Sequence, residues 1–301
     1  MLPSSGPISF SQIGSYLGSG TSLRNIYTMS RRASTTFQTS PYSVSELYGY
    51  GPTTDGLVVY YDSDYSVSYP GSGTTWTSPV GSITATMNGA VGFTTGTSGD
   101  TGVPSYFTFD GTAKYFVINN DLYPEISSTG DMTINAWFSP TSVTTRNVLI
   151  SKWGTSGSTT YFVIEFGTLS GVYTNSIRVY LADANFANAS IDIRGSSNMI
   201  VANPLTPYML TFRYIKASAT TQIYLNGALR TVTTASFNPL NVPATWNAAA
   251  INWYMATYRP SYAIDARCKF YNLMMYNRAL SAAEILNNYN SMGYRYGVSI
   301  A

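Results

Sequence analysis

The sequence predicts an all-β chain: antiparallel sheets stacked as a two-sheet sandwich, behind a short helical N-terminal arm and closed by one short C-terminal helix. Three observations carry this. Between Leu57 and Tyr276, about a dozen short apolar or alternating runs are separated by turns rich in Gly, Ser, Thr and Asn, with no helical run between them. After Ser281 the hydrophobic period becomes helical, with Ile285, Leu286, Tyr289 and Met292 on one stripe. Before Gly51-Pro52 the pattern is neither of these.

The arm, residues 1–50, holds two copies of one pattern: Ile8-Ser-Phe-Ser-Gln-Ile13 and Tyr42-Ser-Val-Ser-Glu-Leu47. In each, the first Ser caps a helix, the Gln or Glu three residues on completes the capping box, and Ile8/Ile13 or Tyr42/Leu47 form the apolar staple. Gly18 and Gly49 suit the stops, and Leu23–Tyr27 suits a third short turn. Helices this short are marginal alone, so the arm is expected to pack on its own β domain or on another subunit through Ile8, Phe10, Ile13, Tyr42 and Leu47.

The second unit, residues 51–301, starts with a strand at Leu57–Tyr61 and a turn at Tyr69-Pro-Gly-Ser-Gly-Thr74. Tyr106–Phe109 and Tyr115–Ile118 flank a hairpin-length loop, Asp110–Lys114. Met132, Ile134, Ala136 and Phe138 alternate with Thr133, Asn135 and Trp137. Further strands are expected at Val148–Ile150, Tyr161–Phe166, Ile177–Leu181 and Met209–Ile215. Ile223–Leu229 is a hairpin whose Asn226-Gly227 favours a type I′ turn. Ser281 and Glu284 make a capping box for the last helix, Leu280 staples onto Ile285, and Gly293 suits a left-handed terminating residue.

Composition excludes much chemistry. The 301 residues include 26 Tyr and no His, with 10% charged residues and a net charge of +2. Without His there is no His-based acid–base catalysis, catalytic triad or Cys–His dyad, and with one Cys there is no closed zinc site. Gly71-Ser-Gly73 lacks the lysine of a phosphate-binding loop, and no block of like charge marks a nucleic-acid surface. No cofactor is implied. Cys268 reads as buried packing. No apolar run reaches the ~18 residues of a membrane span, and no signal peptide precedes the arm, so synthesis in a cytoplasm is expected.

Four segments, in order, resemble the concanavalin-A-like, laminin-G-like jelly roll over residues 55–297 or so. They are Gly56–Asp62 with Ser68–Trp76, Tyr106–Gly111, Met132–Phe138 and Tyr271–Ile285. Many relatives carry an Asp and a Ser-Gly-Asn-Gly-type turn after the Trp, where this chain has Thr77–Ser82, which removes that turn as an ion or ligand site. The arm, around Ser5–Ile13 and Ser43–Gly49, resembles a leader of tailed-phage structural proteins.

The resemblance implies glycosidase or lectin chemistry as alternatives, and the residues rank them. Glycosidases of this fold place acids at alternate positions on one strand; with only Glu46, Glu125, Glu165 and Glu284 available, no such array exists. The expectation is therefore no enzyme and no catalytic residue. Asp62 and Asp64 are the one close acidic pair, read as a solvated turn at a strand end; with Asp183 and Asp192 they are weak candidates for calcium, and no essential ion is expected. Trp246, Trp253, Tyr254, Tyr258 and Tyr262 lie in a segment with poor strand pattern and form the candidate sugar platform. The first reading is a virion structural protein (fibre, appendage or capsid decoration), homo-oligomeric and taken as a trimer, contacting other virion proteins. A lectin-like adhesin for host-surface glycan comes second and a carbohydrate-active enzyme third.

Overall fold

The computed structural model describes residues 51–96, 104–118, 130–152, 161–169, 173–182, 189–203, 205, 207–218, 220–237, 252–259, 262–296 and 298. The arm and its residues Ile8, Phe10, Ile13, Tyr42 and Leu47 lie outside them.

The described strands run β1 (Leu57–Asp62), β2 (Thr75–Thr77), β3 (Thr84–Asn88), β4 (Gly92–Thr94), β5 (Tyr106–Asp110), β6 (Tyr115–Ile118), β7 (Met132–Pro140), β8 (Arg146–Lys152), β9 (Tyr161–Leu169) and β10 (Tyr173–Ala182). They continue with β11 (Ala189–Gly195), β12 (Tyr208–Ile215), β13 (Thr220–Leu225), β14 (Ala228–Leu229), β15 (Val232–Phe237), β16 (Trp253–Met255), β17 (Thr257–Arg259), β18 (Tyr262–Asp265) and β19 (Arg267–Tyr276). Helix α1 (Ala282–Gly293) and a 3-10 turn, Tyr294–Tyr296, follow.

Two antiparallel sheets result. The eight-stranded one runs β14-β13-β12-β7-β19-β5-β4, with β1 pairing the second half of β19; the nine-stranded one runs β15-β11-β10-β9-β8-β16-β6-β3-β2. Apolar side chains from the facing sides fill the space between them, including Ile134, Phe138, Ile164, Phe166, Phe270 and Met275. Trp76 sits at one end of this core within ring contact of Tyr61, Phe107, Phe116 and Phe270.

All nine residues of β7 are buried, Thr133, Asn135 and Trp137 included. The reason is α1, which lies across the outer side of the eight-stranded sheet. Trp137 stacks on Tyr289 at 5.6 Å and 7° and meets Tyr296 at 4.5 Å. Ile285, Tyr289 and Met292 join Leu57, Tyr60, Met209 and Met274 in a second apolar cluster. The capping box forms as expected: the Ser281 N–H donates to Glu284 at 2.7 Å and the Glu284 N–H donates to the Ser281 hydroxyl at 3.2 Å. Gly293 differs from expectation; it ends the helix without entering the left-handed region and leads directly into the 3-10 turn.

The Asn226-Gly227 turn has φ of 55° and 77°, the two positive values a type I′ turn requires. The Asp110–Lys114 loop is no hairpin: β5 pairs β4 and β19 in one sheet, and β6 pairs β3 and β16 in the other. The loop is short enough for a hairpin, but Phe107, Phe109 and Phe116 each bury into the core from opposite sheets.

Candidate functional site

With one sheet covered by α1, the outer side of the nine-stranded sheet is the broad face on which chemistry can be exposed. Strand alternation decides what lies there. On β9 to β11, Ile164, Phe166, Ile177, Val179, Leu181 and Ile193 point into the core. The intervening residues, Val163, Glu165, Arg178, Tyr180, Asp192 and Arg194, therefore share the opposite side. Register places Glu165 opposite Arg178, and Arg178 opposite Arg194.

Two arginines directly opposite repel unless an acid lies between them. Asp192 does this: Arg178 Nε and Nη2 donate to it at 2.8 and 2.9 Å, and Arg194 Nε and Nη2 at 3.2 and 2.8 Å. On the other side, Arg178 Nη1 approaches Glu165 at 3.5 Å and Arg146 Nε donates to Glu165 at 2.6 Å. The result is a chain, Arg146–Glu165–Arg178–Asp192–Arg194, crossing four strands.

Each guanidinium also lies over a tyrosine ring. Arg146 is 5.0 Å from the Tyr258 centroid, Arg178 is 4.6 Å from Tyr180, and Arg194 is 5.2 Å from Tyr173. The acids are split electrostatically. Burial pushes the Glu165 carboxyl up to about 7, against the opposing pull of Arg146 and Arg178. Burial also acts to raise Asp192, but its hydrogen bonds to Arg178 and Arg194 bring it below the ordinary carboxylate value. The strip thus combines tyrosine rings and guanidinium donors over two buried carboxyl groups whose acidities are shifted in opposite directions.

The expected sugar platform is not brought together. Trp253 is 1% exposed, pairs β6 and β8 as a central strand residue, and packs its ring 5.6 Å from Phe162. A strand of three residues carries too little period to be read from sequence. Ala256, with φ 72°, then turns the chain out of the sheet, and the β17–β18 hairpin folds over the outer side of β8. Tyr258 is 1% exposed there, packed on Val148 and Val163, and Ser151 Oγ bonds the Thr257 and Tyr258 carbonyls at 2.8 Å each. Tyr254 is half-buried with its ring edge-on to Tyr115. Trp246, Asp183 and the Tyr262 side chain lie outside the described residues.

Asp62 and Asp64 stand in a turn at the end of β1, as expected, but Asp62 is not solvated. Asp62 is fully buried and takes Arg295 Nη1 and Nη2 at 2.6 and 2.9 Å and the Tyr60 hydroxyl at 2.6 Å. Asp64 accepts the Ser105 hydroxyl at 2.8 Å. Among the described residues no group of three or more His, Cys, Asp or Glu is placed to hold a metal. Cys268 is buried, and burial pushes its thiol up. Alternate positions on one strand do not reveal the strip, because Glu165 and Asp192 come from the two strands flanking β10.

Comparison with known proteins places this geometry. A family profile described as the concanavalin A-like lectin/glucanases superfamily matches residues 110–286, more than half of the chain. No curated protein matches the sequence. Among solved structures, the sialidase of Trypanosoma rangeli in complex with sialic acid is similar at TM-score 0.51 and 15% identity, over 90% of this chain and 38% of that one. The chain thus spans well under half of the sialidase chains it matches. Domain 4 of AbnA, a GH43 extracellular arabinanase from Geobacillus stearothermophilus, in complex with arabinotriose, is similar at TM-score 0.51 and 12% identity, over 76% of this chain and 96% of that one. The receptor-binding domain of botulinum neurotoxin type G follows at TM-score 0.52 and 14% identity, over 78% and 51%. At these identities the likeness shows the fold alone. The expectation that the chain is no enzyme is corrected by these findings: chains named as a sialidase and as part of an arabinanase carry this fold. The jelly-roll architecture and the family match agree, and the chain belongs to the concanavalin A-like lectin/glucanase superfamily.

Proposed function

We propose that the chain is a carbohydrate-recognition module exposed on a tailed-phage virion, in a fibre, appendage or capsid decoration. The observation that carries the carbohydrate part is the two half-buried arginine–tyrosine pairs on the outer side of the nine-stranded sheet, Arg178 on Tyr180 and Arg194 on Tyr173. A sugar ring offers C–H groups to an aromatic face and hydroxyls to charged donors, and a guanidinium beside a tyrosine supplies both on one surface. The structure of AbnA Domain 4 with arabinotriose, most of whose length this chain spans, supports the reading. Glycan-array retention tests it: Tyr173→Ala and Tyr180→Ala should abolish retention with the thermal midpoint nearly kept. Unchanged retention in both overturns it.

One observation favours a second reading, glycoside hydrolysis. Glu165 pushed up to about 7, with Asp192 held low on the far side of Arg178, is the split a general acid and an ionised partner need. Full burial of Glu165 ranks this below binding. Release of reducing sugar, lost in Glu165→Gln, would establish it; no turnover of any retained glycan would remove it.

The virion part rests on the sequence of residues 1–50, with its paired capping boxes and apolar staples. In this proposal the arm assembles the chain into a homo-oligomer, taken as a trimer, and onto other virion proteins, leaving the sandwich to meet host-surface glycans. Deleting residues 1–50 should leave a folded sandwich that no longer enters particles, and equal incorporation would refute the arm's role.

A further inference from the structure

We infer that the arginine row makes this face selective for sugars bearing a carboxylate, an inference that rests on the carbohydrate reading above. Among the described residues three guanidiniums face two carboxylates, a surplus of one positive charge even with both acids ionised. The surplus is only partly solvated: the Arg178, Arg194 and Arg146 side chains are 16%, 21% and 35% exposed. The two end arginines engage their acids through Nε and Nη2, and Nη1 of each has no partner among the described residues. A guanidinium seated on a ring with an unused N–H edge is matched best by a planar anion that takes two N–H groups at once. Arg146 and Arg194 stand three strand spacings apart, about 14 Å, so the row accommodates an oligosaccharide rather than a lone anion.

Glu165 reinforces the selectivity. It is faced by Arg146, Arg178 and Val148, by Asp192 beyond Arg178, and by Tyr258 from the overlying hairpin. With its carboxyl pushed up to about 7, falling pH neutralises it and raises the surplus from one charge to two. Acidic sugars should therefore bind more tightly at pH 6 than at pH 8, whereas neutral sugars should show no such trend.

The test is calorimetric titration of the full chain with an oligogalacturonate, its methyl ester and arabinotriose. The free acid should bind at least tenfold more tightly than the ester, and severalfold more tightly at pH 6 than at pH 8. Arg146→Gln with Arg194→Gln should bring the free acid and its methyl ester to equal affinity, with arabinotriose measured in parallel as the neutral reference; Arg178 remains, so Glu165 and Asp192 each keep a partner. Equal binding of acid and ester by the unaltered chain overturns the inference whether or not the double variant folds, as does a double variant that keeps the preference. Binding of arabinotriose with no acid preference leaves the carbohydrate reading standing alone, while failure of all three sugars removes both.

Discussion

Arg295 grips Asp62 across 233 residues of sequence with two parallel hydrogen bonds, Nη1 to Oδ2 at 2.6 Å and Nη2 to Oδ1 at 2.9 Å. The pair ties the C-terminal 3-10 turn to the end of β1, and Arg295 also reaches Asp64 at 3.4 Å. Removing the arginine strands two largely buried acids. Arg295→Met should destabilise the chain by about 3–5 kcal/mol in urea denaturation. The double variant Arg295→Met, Asp62→Leu should recover much of that loss, because two apolar groups replace a pair rather than breaking it.

Acid pH should act through groups held low. Burial alone would raise Asp64, but the charge of Arg295 and the Ser105 hydrogen bonds bring it below the ordinary value. Glu284 is held at about 2, chiefly by hydrogen bonding to Arg278. A folded value below the unfolded one gives stability that is present above the unfolded value and lost as pH falls through the folded one. Glu284→Gln keeps the helix cap but should lack the loss between 4.5 and about 2, visible as a flatter urea midpoint over that range.

Glu165 has the opposite sign. Its folded value of about 7 lies above the ordinary 4.5, so its contribution is full below 4.5 and lost as pH rises through 7. Glu165→Gln should flatten stability between about pH 5 and 8, an effect on the order of 3 kcal/mol at most. Thermal midpoints measured at matched ionic strength check this.

Trp253→Ala should lower stability by about 3–5 kcal/mol, as expected for a large aromatic deleted from a closed core. A chain of unchanged midpoint would contradict the placement of Trp253 between the sheets.

Gly227 couples the β13–β14 turn to α1. At φ 77°, a Cβ there would meet Leu286 Cδ1 at 2.9 Å and Tyr289 Cβ at 3.3 Å. Gly227→Ala should cost about 1–3 kcal/mol through backbone strain and displacement of the helix. Hydrogen exchange should show the change in α1 as well as in the turn.

Much of the fold was legible because each signal was local. Ser281 and Glu284 lie three residues apart and bond as their spacing says, and Asn226-Gly227 permits few turns other than the one observed. What was not legible depended on distant chain. The alternation on β7 does not announce that Tyr289 and Tyr296 dock on Trp137 from the far end of the chain. Asp62 reads as solvated because nothing near it in sequence announces Arg295. The strip was hidden for the same reason: Glu165, Arg178 and Asp192 are unremarkable one by one, and register alone makes them neighbours.

The start of the described fold is clamped to α1. The Gly51 carbonyl accepts from Asn287 at 2.9 Å, the Thr53 N–H donates to Asn288 at 2.7 Å, and the Thr53 carbonyl accepts the Tyr276 hydroxyl at 2.9 Å. That helix covers one side of the sandwich, and the arginine row occupies the other. Residue 51 therefore stands on the helix side of the sandwich, and the sandwich has a built-in polarity: its first described residues and its charged surface look in opposite directions.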